Sequence, residues 1–286
     1  MLEINQIHTG DCLDLMQDIP NKSVDMILCD LPYGTTACKW DTIIPFNELW
    51  KQYQRIIKDN GVIVLTASQP YTSALIMSNP QMFKEELIWL RNKSGNGLHA
   101  KIRHLKVHEN ILIFSKTSKY TFNPQKWLLD KDFMIQRKTY TEYGMGNQIY
   151  GGMKFKRKID SGIRNPISIL SSKVPHTKSK NKEYNYFEND IRFHPTQKPI
   201  KLFKYLIKTF SNEKDIVLDN CIGVGTTAIA CSQTNRNFIG IEKEKSYVDI
   251  AIKRLSQETL LPLDVNTKED GFPPTPKGMG IQPTIL

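Results

Sequence analysis

The sequence has few cysteines and no apolar stretch of membrane-spanning length. Its 286 residues include five cysteines, at Cys12, Cys29, Cys38, Cys221 and Cys231. None forms a CxxC pair and the count is odd, which excludes a zinc ribbon or a disulfide framework and favours a reducing, cytoplasmic setting. A membrane helix needs about 20 consecutive apolar residues, so no membrane partner is expected. The N-terminal MLEINQIHTGD also lacks the basic and apolar regions of a signal peptide.

A nucleotide-binding P-loop and a metal-ligand cluster are missing as well. No segment reads GxxxxGK followed by Ser or Thr, which argues against a P-loop triphosphate site. Three histidines, His99, His104 and His108, follow one another closely but have no acidic or cysteine partners at ligand spacing. We therefore expect no metal site.

The segment VDMILCDLPYG, residues 24–34, carries the first chemical signal. The apolar run predicts a buried parallel strand, which Pro32 and Gly34 end at once. The Asp30 carboxylate and the Leu31 carbonyl then offer two acceptors for the two N–H groups of an exocyclic amine, and Tyr33 offers a face for a flat base. Taken alone, the same residues also fit an ordinary Asp-x-Pro turn, because four-residue motifs match often by chance.

A second strand-and-turn segment, IVLDNCIGVGTTAIAC, covers residues 216–231. The strand ends at Asp219, Gly223 and Gly225 form a turn, and a helix opens at Thr226. Glycines allow a ligand to approach the backbone closely, and a helix N-terminus presents free N–H groups. The next predicted strand ends at Glu242, about 20 residues after the glycines, which is the spacing typical of a carboxylate that holds ribose hydroxyls.

Strands and helices alternate over most of the chain. We predict strands at 4–9, 24–29, 62–67, 85–91, 109–116, 216–219 and 237–242. Helices are predicted at 13–19, 45–58, 72–84 and 247–255, with a turn at Asn60-Gly61 and an amphipathic helix after Pro199. This alternation indicates an α/β fold with a doubly wound parallel sheet.

The stretch 117–192 interrupts that alternation. It holds 15 Lys and Arg against 7 Asp and Glu, so it carries eight of the ten net positive charges of the chain, together with 11 of its 27 aromatic residues. Phosphates are neutralised by cations and bases stack on rings, which favours nucleic-acid contact. A solvated basic insertion with a small core of its own is the alternative.

The motifs DLPYG, HPTQKP and DNCIGVGTT, in this order, resemble the S-adenosylmethionine-dependent DNA amino-methyltransferases of the β group. The resemblance implies a doubly wound, mostly parallel seven-stranded Rossmann-like methyltransferase sheet with an inserted target-recognition region. It divides the chain into a catalytic half (1–116), the target-recognition insertion (117–193), a cofactor-binding half of the same core (194–260) and a Pro/Gly-rich tail (261–286). Leu31, Asn220 and Cys221 depart from the residues usual in the family.

The resemblance also implies a role for individual residues. The catalytic motif comprises Asp30, Leu31, Pro32 and Tyr33. The implied contacts with S-adenosyl-L-methionine are Asp11, Cys12, Thr196, Lys198, Asp219, Asn220, Cys221, Gly223, Gly225, Thr226, Thr227, Glu242 and Lys243. The candidate DNA contacts are Arg91, Lys93, Lys101, Arg103, Lys154, Lys156, Arg157 and Lys158.

The resulting expectation is a site-specific methyltransferase that acts on the N6 amine of an adenine flipped out of double-stranded DNA. The acid that opens the motif favours adenine, since in this family a serine there tends to accompany methylation of cytosine N4. Cytosine N4, RNA or a protein amide as the target, and a nucleic-acid-binding protein with an inactive fold, stay open as alternatives. The resemblance admits a homodimer and a cognate restriction endonuclease as partners, or an orphan or phage methylase.

Overall fold

A computed structural model describes residues 2–36, 38, 41–91, 94, 97, 100–128, 163–170 and 197–260. The strands are β1 (Gln6–Thr9), β2 (Val24–Cys29), β3 (Ile57–Ala67), β4 (Phe83–Leu90), β5 (His108–Phe114), β6 (Trp127–Leu128), β7 (Ile163–Arg164), β8 (Ile169–Leu170), β9 (Ile216–Asp219) and β10 (Asn237–Glu242). The helices are α1 (Cys12–Leu15), α2 (Phe46–Ile56), α3 (Tyr71–Ser78), α4 (Ile200–Phe210), α5 (Thr226–Ser232) and α6 (Lys245–Leu260), with one 3₁₀ turn at Met16–Asp18.

Eight of these strands form one sheet, in the order β1-β10-β9-β2-β3-β5-β4-β8. The five strands from β1 to β3 are parallel, and β5 is antiparallel to both β3 and β4. The α/β fold with a sheet built mostly of parallel strands is confirmed, but the strand number is eight rather than seven. The eighth strand, β8, is a two-residue addition that pairs with β4.

The antiparallel direction of β5 follows from how β4 and β5 are connected. A parallel pair needs a long crossover, usually a helix, whereas an antiparallel pair needs only a return loop. The described residues between β4 and β5 contain no α-helix. β5 therefore runs back beside β4, and its first residues reach the same edge of the sheet as the last residues of β3.

Both faces of the sheet are covered, which explains the uninterrupted apolar strand before Asp30. Ile27 and Cys29 of β2 face the layer of α1, α2 and α3, and Met26 and Leu28 face the layer of α4 and α5. Strands buried on both faces read as continuous hydrophobic runs rather than as alternating patterns.

Two predicted boundaries were wrong. The Asn60-Gly61 turn lies inside β3: β2 advances from Val24 to Met26 while β3 advances from Ile57 to Val62, so the turn residues form a bulge in a continuing strand. The helix predicted over 72–84 ends at Ser78, and β4 already begins at Phe83. Asn79-Pro80 accounts for the helix end, because the residue before a proline is disfavoured in helical geometry.

The described parts of the insertion contribute short strands. β6 pairs with β7, and β8 extends the main sheet. None of the helices that the structure describes is long and apolar enough to cross a bilayer.

Candidate active site

The candidate site lies at the carboxyl edge of the parallel strands. β2, β9 and β10 end at or next to Asp30, Asp219 and Glu242, and Asp11 follows β1 directly. Open α/β sheets bind ligands at this edge. The antiparallel β5 begins at the same edge and adds Glu109, which the sequence motifs did not indicate.

The Asp30 carboxylate accepts hydrogen bonds on both of its oxygens. Its Oδ1 atom accepts hydrogen bonds from the Tyr33 hydroxyl at 2.6 Å and from the hydroxyl of Thr66 on β3. Its Oδ2 atom accepts from the Lys198 ammonium at 2.6 Å. The side chain is about a quarter exposed, so a ligand amine can still reach it.

Lys198 was predicted as a cofactor contact, but its ammonium lies between two acidic side chains on the catalytic side. It is 2.6 Å from Asp30 Oδ2 and 3.3 Å from Glu109 Oε2, and only 7% of its side chain is exposed. Burial lowers the pKa of the Lys198 ammonium, but the carboxylates of Asp30 and Glu109 outweigh burial and hold that pKa above its usual value. The ammonium is therefore charged at neutral pH.

Glu109 connects this pair to a candidate DNA contact. Its Oε1 atom accepts a hydrogen bond from Arg91 Nη1 at 2.8 Å. Arg91, Glu109, Lys198 and Asp30 thus form a chain of alternating charges. Sequence spacing could not reveal it, because its members come from β2, β5, the end of β4 and the segment before α4.

The Tyr33 ring lies in an aromatic neighbourhood. Its centroid is 5.2 Å from that of Tyr71 on α3, and the Lys198 ammonium lies 5.8 Å from the Tyr33 ring. Burial first, and then the negative charge of Asp30, raise the pKa of Tyr33 well above its usual value. The phenol is therefore a neutral donor to Asp30, a role beyond the stacking that the motif predicts.

Asp41 holds the loop that carries Tyr33. Its buried carboxylate accepts three backbone hydrogen bonds, from Gly34 at 2.8 Å, Thr35 at 2.9 Å and Thr36 at 2.7 Å. Burial opposes ionisation of Asp41, but a hydrogen bond with the Thr36 side chain, together with these three backbone bonds, outweighs it and lowers the pKa of Asp41. Asp41 thus fixes the turn that follows the catalytic motif.

The glycine-rich turn after β9 is built around Asp219, which is buried. Asp219 Oδ1 accepts from the backbone N–H of Cys221 at 3.1 Å, and Oδ2 accepts from the Thr227 hydroxyl. Gly225 has φ +85°, and a Cβ there would lie 2.9 Å from Ala251 Cβ of α6. Only glycine fits this position, because both its backbone angle and its distance from α6 exclude a side chain.

Two more side chains shape the turn. Glu242 accepts backbone hydrogen bonds from Gly223 and from Glu244, each at 2.9 Å, and burial raises the pKa of its carboxyl. Tyr53 of α2, which the sequence did not single out, donates to Asn220 Oδ1 at 2.6 Å. Among the remaining candidates, Thr226 lies buried at the start of α5.

The Asp11 side chain caps α1 at the neighbouring strand end. Its Oδ1 atom accepts from the Leu13 backbone N–H at 2.9 Å, and its Oδ2 atom lies 3.5 Å from the Lys243 ammonium. Both side chains are largely exposed, so this pair contributes little to stability. They lie where a ligand on the β10 side of the edge would meet them.

The buried thiols near this turn are not activated. Burial raises the pKa of Cys29 to about 12, and the pKa of Cys12 is raised by a hydrogen bond with Cys221 and by burial. Thiols at such pKa values are not nucleophiles at neutral pH. Neither Cys29 nor Cys12 is therefore a candidate for a covalent intermediate.

The residues at the edge fit S-adenosylmethionine by their chemistry. Asp219 offers a buried carboxylate for an ammonium group and Glu242 a half-buried one for ribose hydroxyls, and the space beside Gly223, where a Cβ would stand, is open. Thr196 and five DNA candidates, Lys93, Lys154, Lys156, Arg157 and Lys158, lie outside the described residues. Lys101 and Arg103 lie exposed in the loop before β5.

Comparison with known proteins gives the family. The model of the DNA methylase family N6_N4_Mtase matches residues 24–253. The chain belongs to this family, the S-adenosylmethionine-dependent DNA amino-methyltransferases.

Curated relatives match the methylase over almost its whole length. It is 30% identical to the type II methyltransferase M1.MboII of Moraxella bovis over 270 residues, which are 90% of this chain and 98% of that protein. It is 29% identical to the DNA adenine methyltransferase YhdJ of Escherichia coli K12, over 88% of this chain and 83% of that protein.

Solved structures show the same fold for this methylase. The M1.HpyAVI–SAM complex superposes with a TM-score of 0.54 and 24% identity, covering 87% of this chain and 99% of that one. The cytosine-N4-specific PvuII DNA methyltransferase gives a TM-score of 0.56 at 16% identity, covering 88% and 89%.

Proposed function

We propose that this methylase transfers a methyl group from S-adenosylmethionine to the N6 amine of an adenine flipped out of duplex DNA. The observation that carries the proposal is that Asp30 and Tyr33 directly follow β2, which pairs in the sheet with β9, the strand that ends at Asp219. Asp30, an acceptor for an amine, and the glycine-rich turn after β9, the candidate cofactor site, are then neighbours. Direct transfer between two bound groups needs that proximity.

The residues of this chain supply binding, orientation and charge. When bound, the cofactor supplies an electrophilic methyl group on a sulfonium. Asp30 Oδ2 and the Leu31 carbonyl accept the two N–H groups of the amine, which directs the nitrogen lone pair away from the base ring. Positive charge develops on that nitrogen during transfer, and the Asp30 carboxylate stabilises it until the methylated nitrogen releases one of its two protons to solvent. Tyr33 stacks on the flipped base and, through its hydroxyl, fixes Asp30.

Three lines support adenine and a modification role. The motif opens with an acid, and the related YhdJ is named a DNA adenine methyltransferase. The relatives M1.MboII and M.BglII are named type II methyltransferases, which supports a place in a restriction-modification system with a cognate endonuclease. Cytosine N4 is the second candidate, because the PvuII enzyme with the same fold is cytosine-N4-specific.

The test is transfer of a labelled methyl group to genomic DNA, followed by nucleoside analysis and by sequencing that maps the methylated site. We expect N6-methyladenine at one short sequence. Asp30→Ala should lower the rate by ~10²–10³ while cofactor and DNA binding persist. Tyr33→Phe keeps the ring but loses the 2.6 Å bond to Asp30, so it should fall between wild type and Tyr33→Ala.

Two outcomes would contradict the proposal at different levels. Near wild-type transfer by Asp30→Ala would make Asp30 a turn residue only. N4-methylcytosine as the product would keep the mechanism and replace the target base.

A further inference from the structure

The Asp30 acceptor that the target amine needs is already occupied by a cation. Both its oxygens accept hydrogen bonds from this chain, Oδ1 from Tyr33 and Thr66 and Oδ2 from Lys198. The two hydroxyls support Asp30 without changing its charge. The Lys198 ammonium, in contrast, neutralises the negative charge that should stabilise the developing positive charge on the amine.

Lys198 has a second acceptor within reach. Its ammonium is bonded to Asp30 Oδ2 at 2.6 Å and is 3.3 Å from Glu109 Oε2. Within the described part of the chain, no hydrogen bond reaches that Oε2 atom, although it is buried. Glu109 Oε1 is held by Arg91 at 2.8 Å, which fixes the carboxylate in place.

A buried ammonium cannot leave one carboxylate without another partner, because an unpaired charge in the protein interior is strongly destabilising. A small shift of the Lys198 ammonium toward Glu109 would complete a bond there and release Asp30 Oδ2. Glu109 therefore makes the release of Asp30 possible without exposing or stranding the charge.

We propose that Lys198 is a gate on the catalytic carboxylate and that Glu109 is the acceptor to which Lys198 moves when the target amine arrives. The proposal rests on the function proposed above and adds a positioning pair to it. Before the base enters, Lys198 keeps Asp30 paired. Once the amine donates to Asp30, Lys198 bonds to Glu109. The negative charge of Asp30 is then no longer offset by the ammonium and can stabilise the transfer step.

The test is a double-mutant cycle on single-turnover methyl transfer to a duplex that carries the site mapped for the wild type. Glu109→Gln removes the charge of the second acceptor, so Lys198 stays on Asp30 and the transfer rate should fall roughly tenfold, less than for the loss of Asp30 itself. Lys198→Met removes the competing cation. The double variant Glu109→Gln/Lys198→Met should recover most of the rate that Glu109→Gln loses, because Glu109 acts only by accepting Lys198.

A second readout follows base entry without turnover. With 2-aminopurine beside the target adenine, which keeps its own N6 amine, the fluorescence rise on unstacking of the target should be smaller for Glu109→Gln and should return in the double variant. Lys58→Met is the matched control, since Lys58 makes a 2.6 Å ion pair with Asp25, which lies on β2 at the end away from Asp30. That control should leave transfer and fluorescence unchanged.

The outcomes separate this inference from the function on which it rests. Suppose that the wild type methylates DNA and that the double variant is slower than Glu109→Gln. The two substitutions then act as independent structural defects, and the proposal that Glu109 acts by accepting Lys198 is wrong. If the wild type transfers no methyl group to DNA, the proposed function fails and the gate with it. If circular dichroism shows that the Lys198→Met protein is unfolded, the Lys198→Gln variant is used in its place in every experiment.

Discussion

At the scale of single residues, burial sets the charge of the acid that is proposed to meet the cofactor. Asp219 is only 3% exposed, and burial raises its pKa to about 7, against hydrogen bonds from Thr227 and from the Cys221 backbone that lower it. A carboxyl with this pKa is about half ionised at neutral pH. Its ability to hold an ammonium group then depends on pH within the physiological range.

Cofactor affinity should therefore rise with pH through the pKa of Asp219. Below about pH 7 the folded protein holds Asp219 protonated, and binding an ammonium requires that proton to leave, so affinity should gain up to about tenfold per pH unit and then level off. Asp219→Asn should bind more weakly and lose this dependence. Calorimetric titration with S-adenosylmethionine between about pH 5.5 and about pH 7.5 measures both.

The stability of the free protein should change in the opposite direction. The pKa of Asp219 is 3.8 in an unfolded chain and about 7 in the folded one, so the folded state binds more protons between these values and loses stability as pH rises through them.

An Asp219→Asn variant that keeps the wild-type pH dependence of cofactor affinity would show that another group controls this dependence.

At the scale of elements, the loop after β2 depends on one side chain. Asp41 accepts the backbone N–H groups of Gly34, Thr35 and Thr36, so it ties the start of this loop to its end. Charged hydrogen bonds of this kind contribute ~1.5–3 kcal/mol each when their donors have no other partner. The position of Tyr33, one residue before the loop, follows from them.

Asp41→Ala should lower the transfer rate more than it lowers cofactor affinity. The variant leaves three N–H groups without their acceptor, but Gly34, Thr35 and Thr36 are exposed, so water can take its place in part. The free energy of unfolding should therefore fall by about 1–3 kcal/mol in total, and Tyr33 should be misplaced. Thermal unfolding and single-turnover transfer measure the two effects. Asp14→Ala, which removes an exposed acid from α1, is the control. An Asp41→Ala variant with wild-type transfer would show that the loop keeps its conformation without the carboxylate.

At the scale of the whole molecule, charge is concentrated rather than spread. The chain carries a net charge of +10, and residues 117–192 account for eight of these charges. A polyanion such as DNA is attracted by the total charge, but tight contact needs cations that reach its phosphates. The cluster Lys154, Lys156, Arg157 and Lys158 remains our prediction for that contact.

Replacing these four cations with alanine should weaken binding to any duplex. The slope of log affinity against log salt concentration should also become shallower, by up to about 0.9 for each phosphate that is no longer neutralised. The measurement is DNA affinity by fluorescence anisotropy at several salt concentrations. The control variant has alanine at four exposed lysines outside the insertion, Lys22, Lys214, Lys245 and Lys253. It loses the same total charge. If the two variants show equal salt dependence of DNA affinity, this cluster does not contact DNA. The contact would then lie elsewhere, for instance at Lys101 and Arg103.

The candidate site was predictable where it is local in sequence. Apolar runs of strand length followed by turn residues placed Asp30, Asp219 and Glu242 at strand ends, and the structure has each of them there. Glu109 and Thr66 could not be found in this way. Glu109 reaches the site only because β5 runs antiparallel, and Thr66 reaches it only because β3 pairs with β2.

Neighbouring residues and composition are enough to predict the α/β class, the buried central strand, the two motif turns and the excess of positive charge. The tertiary structure alone decided the direction of β5, the bulge in β3 and the meeting of Lys198 with Asp30 across 168 positions. The reason is physical: a strand's hydrophobic pattern shows that it is buried but not which strand it pairs with. A buried charge is stabilised by whichever opposite charges the completed sheet brings to it.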